Sequence, residues 1–317
     1  MTPSKLFRFE KWYFDFALPT GEVVFFFLAR TRILGWQDMR LSLTVVSPVG
    51  APIHRSLSLR KSGAVRPSPV PAVWTDLLEI SSGPDPEIRI RTTGDDFLLD
   101  LSFVRHPETR PTANPLVIPR GRRRILWEPV HSRSVVQGRV RMRGQTWIAQ
   151  GSDGYVDRLV SDVFPLFTPV STLYWGRLHH REGSLVYAVI PRPRPAALLT
   201  WESGRGTLEF DTVEVFERGS EKSPILNLDY PPAYTLSAES RSGSVRLDVE
   251  NSAAAIETGF VGDEDMPGGF KSRAINFLAR NPRGIKFFSR GRVFIRSQSQ
   301  AIEIDDAPFF SEIVRFS

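Results

Sequence analysis

The sequence predicts an all-β protein arranged as two consecutive β-barrels. Three observations carry that prediction. The 25 prolines and 23 glycines are spread so evenly along the 317 residues that long helices have little room. Alternation of apolar and polar residues with a period of two recurs throughout, bounded by turn residues. The resulting short strands follow one another at intervals of roughly 8–12 residues, the spacing of a barrel or sandwich. A chain of this length suits two ordinary domains, and 41% hydrophobic residues suffice for a core.

Taken in order, Trp12–Ala17 runs to a turn at Pro19-Thr20-Gly21, and Glu22–Arg30 returns, a first hairpin. Phe25-Phe26-Phe27 reads as a strand covered on both faces. Strands follow at Arg40–Ser47, Arg55–Arg60, Glu87–Arg91 and Phe97–Val104, and a proline-rich connection spans His106–Pro119. In the next strand Val136, Val140 and Met142 share one side, and Arg139, Arg141 and Arg143 form a solvent stripe on the other. Strands at Ser171–His180 and Ser184–Pro191 lead to Pro191-Arg192-Pro193-Arg194-Pro195. Each proline there lacks a ladder donor, so this run is the expected domain boundary, giving residues 1–192 and 193–317. Beyond it strands are expected at Ala197–Ser203, Thr207–Arg218, Ala233–Glu239, Ser244–Glu250, Ile256–Gly262, Arg292–Ser297, Ala301–Ile304 and Phe309–Phe316. Phe270–Arg280, after Pro267-Gly268-Gly269, is the one helix candidate, and no fixed-period repeat is visible.

Composition removes several chemistries. Without cysteine there are no disulfides, thiolate metal sites or cysteine nucleophiles. No P-loop, Rossmann glycine pattern, Gly-x-Ser-x-Gly or His-Glu-x-x-His occurs. The five histidines are His54, His106, His131, His179 and His180; the adjacent last two point to opposite faces of a strand and cannot chelate one metal. Neither a metal nor a cofactor is expected. The basic residues, 41 against 35 acidic, are scattered, and their densest run, Arg120-Gly121-Arg122-Arg123-Arg124, reads as a proline-flanked loop. A solvated loop or a peripheral contact with an anionic membrane surface is preferred there over nucleic acid, because no basic helix face or RNA-binding spacing accompanies it. No leader-like apolar run follows the basic N-terminal residues, and Val23–Ala29 is far shorter than the ~20 residues of a membrane helix. A soluble, cytoplasmic protein is expected.

The sharpest functional signal is Gly154-Tyr155-Val156-Asp157-Arg158, followed by Tyr174-Trp175-Gly176-Arg177-Leu178-His179. Alternation puts Tyr155 with Asp157 on one face, and Trp175, Arg177 and His179 together on another. Were the two strands neighbours, these side chains would converge on one cavity. A carboxyl in an apolar cavity is held protonated and can donate a proton near neutral pH. Aromatic faces stabilise a nearby carbocation. The plainer alternative is that Asp157 pairs with Arg177 or Arg158 and ties strands together. In the opening strand Trp12, Phe14 and Phe16 share one face, and Tyr13 and Asp15 the other, where Asp15 looks into a cavity or caps a turn.

Glu10-Lys11-Trp12-Tyr13-Phe14-Asp15 resembles the Glu-Trp-Trp-Tyr-Phe-Asp opening of the carotenoid 1,2-hydratase (hydroxyneurosporene synthase) family, whose relatives include AttH-like proteins and lipocalin-type Diels–Alderases. Gly154–Arg158 stands where that family has Gly-Tyr-His-Asp-His-Asn-Trp-Gly, and Tyr174-Trp175-Gly176-Arg177 resembles the following Trp-x-Trp-Gly-Arg. The resemblance covers the first two-thirds of the chain. It implies two consecutive lipocalin-like antiparallel β-barrels and cofactor-free work on a hydrophobic polyene or isoprenoid, by hydration or by cyclisation. It implies Asp157 as acid, with Tyr155 beside it and Arg177 as a positioning group. Trp175, His179, Trp12, Tyr13 and Asp15 are the implied substrate contacts, and the partner is a hydrophobic small molecule. Val156 and Arg158 replace both histidines of the family pattern, and Leu159-Val160-Ser161 replaces Asn-Trp-Gly. The acid face survives while the opposite face is rewritten, which fits a changed reaction and equally a carrier that binds without chemistry.

Overall fold

The computed structural model describes residues 7–34, 36–59, 64–66, 72–74, 78–82, 87–92, 97–109, 114–164, 167–259, 283–298 and 301–316. The expected helix at Phe270–Arg280 lies outside these residues. The described elements are strands: β1 (Phe7–Ala17), β2 (Val23–Ile33), β3 (Trp36–Val46), β4 (Ile53–Ser58), β5 (Ala64–Arg66), β6 (Ala72–Trp74), β7 (Leu78–Ser82), β8 (Glu87–Thr92), β9 (Phe97–Arg105), β10 (Leu116–Arg120), β11 (Arg123–Met142) and β12 (Gln145–Ser161). They continue as β13 (Thr172–His180), β14 (Gly183–Ile190), β15 (Ala196–Ser203), β16 (Gly206–Phe210), β17 (Glu214–Arg218), β18 (Glu221–Lys222), β19 (Asp229–Tyr230), β20 (Ala233–Ser240), β21 (Gly243–Gly259), β22 (Arg283–Ser297) and β23 (Ala301–Arg315). No helix among the described residues is long and apolar enough to cross a membrane.

The chain divides into two compact units, Met1–Pro115 with Arg123–Asp162, and Leu116–Arg122 with Val163–Ser317. The division therefore falls near residue 162 rather than at 192/193. The proline run Pro191–Pro195 instead joins β14 to β15, which are paired antiparallel in one sheet. Its prolines interrupt a ladder as expected, but only to let the chain turn. The arginine run at 120–124 is likewise a hairpin, with Gly121 at φ +62° turning β10 into β11.

In the first unit the 12-stranded sheet runs β4-β3-β2-β1-β12-β11-β9-β8-β7-β6-β5 along its main path, every pair antiparallel. The β1–β2 turn closes with Gly21 N–H donating to Leu18 O at 2.9 Å and Leu18 N–H to Glu22 O at 2.8 Å. The core uses one face of each strand, including Trp12, Phe14, Phe16, Val24, Phe26, Leu28, Phe103, Val136, Val140, Met142 and Val156. Phe14 stacks on Phe26 with centroids 4.8 Å apart, directly across the ladder, and Phe103 meets both edge-on. Arg139, Arg141 and Arg143 are exposed, as the alternation predicts.

The second unit repeats the wiring of the first. Its 9-stranded sheet runs β16-β15-β14-β13-β23-β22-β21-β20-β17. In each unit the first strand lies between its hairpin partner and the last strand, β1 between β2 and β12, and β13 between β14 and β23. The edge strand β16 comes within 8 Å of β20 and curls the sheet round its core. That core is Tyr174, Leu178, Leu185, Tyr187, Leu199, Trp201, Tyr234, Leu247, Phe287, Ile313 and their neighbours. Tyr187 and Tyr234 hydroxyls bond at 2.7 Å within it, and Gly176 is required beside them, since a Cβ there would stand 2.4 Å from the Tyr187 hydroxyl.

Candidate functional site

Strands β2, β1, β12 and β11 lie side by side, and their register builds two faces from successive rows. On the core face the rows are Leu28–Trp12–Arg158–Glu128, Phe26–Phe14–Val156–His131 and Val24–Phe16–Gly154–Ser134. On the opposite face they are Ala29–Lys11–Leu159–Trp127, Phe27–Tyr13–Asp157–Pro129 and Phe25–Asp15–Tyr155. Tyr13, Asp15, Phe25, Trp127, Tyr155 and Asp157 on this second face are all buried. The strand is therefore covered on both sides here, and an acid pair sits among four aromatic rings. Tyr13 stacks with Phe25 at 6.1 Å and lies 6.4 Å from the Tyr155 ring.

Asp157 is the electrostatic centre of this face. Its relative exposure is 5%. Burial raises its pKa from the usual 3.8 to about 7, and the negative charge of Asp15 adds to the rise. The Lys11 ammonium and hydrogen bonds from Trp127 and Tyr155 pull the other way without cancelling it. The Trp127 indole donates to Asp157 Oδ2 at 3.0 Å. Lys11 is itself held over aromatic faces, 5.4 Å from the Tyr13 centroid and 5.0 Å from that of Phe27. A carboxyl half-protonated near pH 7, fixed by an indole N–H and ringed by aromatics, can deliver a proton to an apolar acceptor. Asp15, on the adjacent strand one row away, is the second carboxyl of the set.

Arg158 lies on the core face with its charge met by Glu10 at 3.5 Å and Glu128 at 3.9 Å, so it is not the partner of Asp157. Trp12 lies on the same core face. It sits in the core row under Arg158, whose guanidinium carbon is 5.8 Å from the ring, and so it faces away from Tyr13, Asp15 and Asp157.

Trp175, Arg177 and His179 belong to a different sheet. β12 pairs with β1 and β11, whereas β13 pairs with β14 and β23, so the two strands expected to be neighbours are not. In the second unit these three side chains occupy the face opposite its core, in the rows Lys286–Glu312–Trp175–Ala188–Leu198, Phe288–Phe310–Arg177–Val186–Thr200 and His179–Ser184–Glu202. Trp175 and Arg177 are buried, and His179 Nδ1 lies 3.1 Å from Ser184 Oγ. Lys286 forms an ion pair with Glu312 and stands 5.5 Å from the Trp175 centroid. Sequence reasoning named none of Trp127, Lys11 as a neighbour of Asp157, Lys286 or Glu312. Trp127 was findable as an indole in a strand; its pairing to Asp157 required the register. Among the described residues no group of three or more His, Asp or Glu is placed to hold a metal.

The fold defines the class, two consecutive lipocalin-like antiparallel β-barrels, and in this chain the first unit carries a buried carboxyl on its non-core face. Solved structures of this class resemble the chain over nearly its whole length. A structure assigned as an AttH protein of Nitrosomonas europaea is 16% identical, with a TM-score of 0.57, covering 98% of this chain and 93% of its own. CghA, solved with Sch210972, is 10% identical with a TM-score of 0.63, covering 98% and 89%. Kievitone hydratase from Nectria haematococca is 11% identical with a TM-score of 0.57, also covering 98% and 89%. The resemblance seen in the sequence motifs thus holds at the level of the fold. No protein-family model matches the chain, and no curated protein is similar to it by sequence.

Proposed function

We propose that the chain is a cofactor-independent enzyme that protonates a hydrophobic polyene or isoprenoid, with Asp157 as the general acid. The observation that carries this reading is Asp157 itself, buried among Tyr13, Tyr155, Trp127 and Phe25 with its pKa raised to about 7. A proton delivered from Asp157 to a carbon–carbon double bond leaves a carbocation. The ring faces of Tyr13 and Tyr155 stabilise that cation, and Asp15 offers the carboxylate to take a proton from an incoming water. Addition of that water completes a hydration, as the name kievitone hydratase describes for a protein of this fold. Loss of a proton after ring closure instead gives an isomer.

A second reading, a cyclase of Diels–Alderase type, draws on the fold shared with CghA. There the protein folds the substrate into a reactive conformer, an orientation effect, and the charge state of Asp157 matters little. Incubation with acyclic isoprenoid polyenes and mass analysis of the products separates hydration from cyclisation, and Asp157→Asn then separates acid-catalysed from orientation-driven ring closure. A product heavier by one water supports hydration, and an isomer of unchanged mass supports cyclisation. Saturable binding with every polyene recovered unchanged would identify a carrier and remove the enzymatic reading.

A further inference from the structure

The core face of the first unit ends in charge. In the two rows beyond Trp12 on that face, Glu10 stands opposite Arg30, and Arg8 opposite Arg32. Glu10 is 3% exposed and serves three guanidinium groups. Arg8 Nη2 lies 2.7 Å from its Oε1, Arg158 Nη2 3.5 Å from the same oxygen, and Arg30 Nη1 3.7 Å from Oε2. Arg8 also reaches Asp162 at 3.5 Å, and Arg158 reaches Glu128 at 3.9 Å. Arg32 has no carboxylate partner among the described residues. The cations Arg8, Arg30, Arg32 and Arg158 thus outnumber the anions Glu10, Glu128 and Asp162.

The surplus lies at the outer rim. Side-chain exposure rises from 10% at Arg158 through 17% at Arg30 to 32% at Arg8, so the cluster opens to solvent on the Arg8 side. There Arg8 and Arg32 face each other directly across antiparallel strands, a like-charge arrangement that costs stability unless a counter-charge lies between them. Burial and the like charges of Arg32 and Arg8 pull the Arg30 guanidinium below its usual range, against the opposing charge of Glu10. Acceptors are as scarce as negative charge. Arg30 Nη2 donates to Gln37 Oε1 at 3.2 Å, but the buried Nε of Arg158 meets no acceptor among the described residues. The partner that fits such a set is a compact anion rich in acceptor oxygens. A carboxylate is planar and suits one guanidinium fork, whereas the oxygens of a phosphate group point in several directions and serve several guanidinium groups at once.

We infer that Arg8, Arg30 and Arg32 form an anion site at the rim of the first unit, which binds a phosphate group, free or as the head of a small monoester. Glu10 holds Arg8 and Arg30 from beneath, and Arg158 in turn holds Glu10. Arg158 is one of the residues by which this chain departs from the motif it resembles, so the site lies on the rewritten face of β12. It is independent of the role proposed for Asp157, which occupies the opposite face.

The test is phosphate binding to the full chain. Orthophosphate and glycerol 3-phosphate are titrated separately by calorimetry, at an ionic strength held constant with chloride. Saturable binding at one per chain is expected, and the tighter of the two tells whether the site takes the free ion or a monoester. Arg32→Gln should weaken it about tenfold or more, through loss of a charge-assisted hydrogen bond. It leaves no carboxylate stranded, so the variant should fold. Arg139→Gln makes the same charge change on the exposed stripe of β11 and should leave the affinity unaltered. Urea midpoints give a second reading: phosphate should stabilise the wild type and Arg139→Gln more than Arg32→Gln, whereas general exclusion of the salt from protein surface would raise all three alike. A third needs no variant. The phosphorus-31 resonance of orthophosphate should broaden saturably with the wild-type chain and recover on adding sulfate, though not chloride. No saturable binding, or an affinity unchanged in Arg32→Gln, would overturn the inference and leave these arginines as an ion-pair network closing the end of the sheet.

Discussion

Trp127 and Asp157 are joined across the β11–β12 ladder by a hydrogen bond of 3.0 Å from the indole N–H to a carboxylate oxygen. The bond favours the charged carboxylate and so restrains a pKa that burial drives upward. Trp127→Phe removes the donor and keeps most of the ring. The alkaline limb of the pH–rate profile, which reports loss of the Asp157 proton, should then move to higher pH. A limb that stays in place or moves down contradicts this assignment.

Asp157→Asn keeps the volume and the buried neutral character but has no proton to give. Turnover should fall by about 10²–10⁴-fold, the usual contribution of a general acid. Substrate binding and the far-ultraviolet circular dichroism should be unchanged. Retained turnover would instead favour the cyclase reading.

Stability against pH offers a check that needs no substrate. Asp157 has its folded pKa raised from 3.8 to about 7, so between these values the folded chain keeps a proton that the unfolded chain has released, and stability falls as pH rises. His131 is lowered from 6.5 to about 3, so between those values the unfolded chain holds a proton that the folded chain refuses, and stability rises with pH. The two contributions, each about 1.4 kcal/mol per pH unit, oppose one another between pH 4 and 6.5. Urea midpoints should rise with pH over that window in Asp157→Asn, fall in His131→Phe, and change less in the wild type than in either variant.

Gly154 and the Lys286–Glu312 pair test the two units separately. A Cβ on Gly154 would stand 2.4 Å from Val136 Cγ2 and 2.8 Å from the backbone oxygen of Asp15. Gly154→Ala should cost about 1–3 kcal/mol by overpacking and disturb the strand that carries Asp15. Lys286 is 6% exposed, and Glu312→Gln removes the carboxylate it pairs with, with an expected loss of about 3–5 kcal/mol. Replacing both by apolar residues, Lys286→Met with Glu312→Leu, should recover most of it. Chemical denaturation of the variants measures each cost.

Alternation made the strands legible, because a face buried against a core leaves a period-two record. The separation of Tyr155 and Asp157 from Val156 and Arg158 was readable for that reason. The pairing of strands was not. Nothing in residues 154–179 tells that β12 returns to β1 while β13 begins a new sheet, since ladder partners are set by contacts distant in sequence. The proline run at 191–195 has the composition of a linker and of a hairpin connection alike. The pairing of His131 with Ser134 is not legible in the sequence, because the bulges that unite them break the alternation on which sequence reading depends.

The most direct test is the ionisation of Asp157 itself. Carbon-13 NMR of the side-chain carboxyl, assigned by its disappearance in Asp157→Asn, gives the pKa in the folded protein. The account predicts a midpoint near 7 in the wild type, moving higher in Trp127→Phe. A midpoint near the ordinary 3.8 would mean that Asp157 is a plain carboxylate at neutral pH, and the general-acid reading would be wrong.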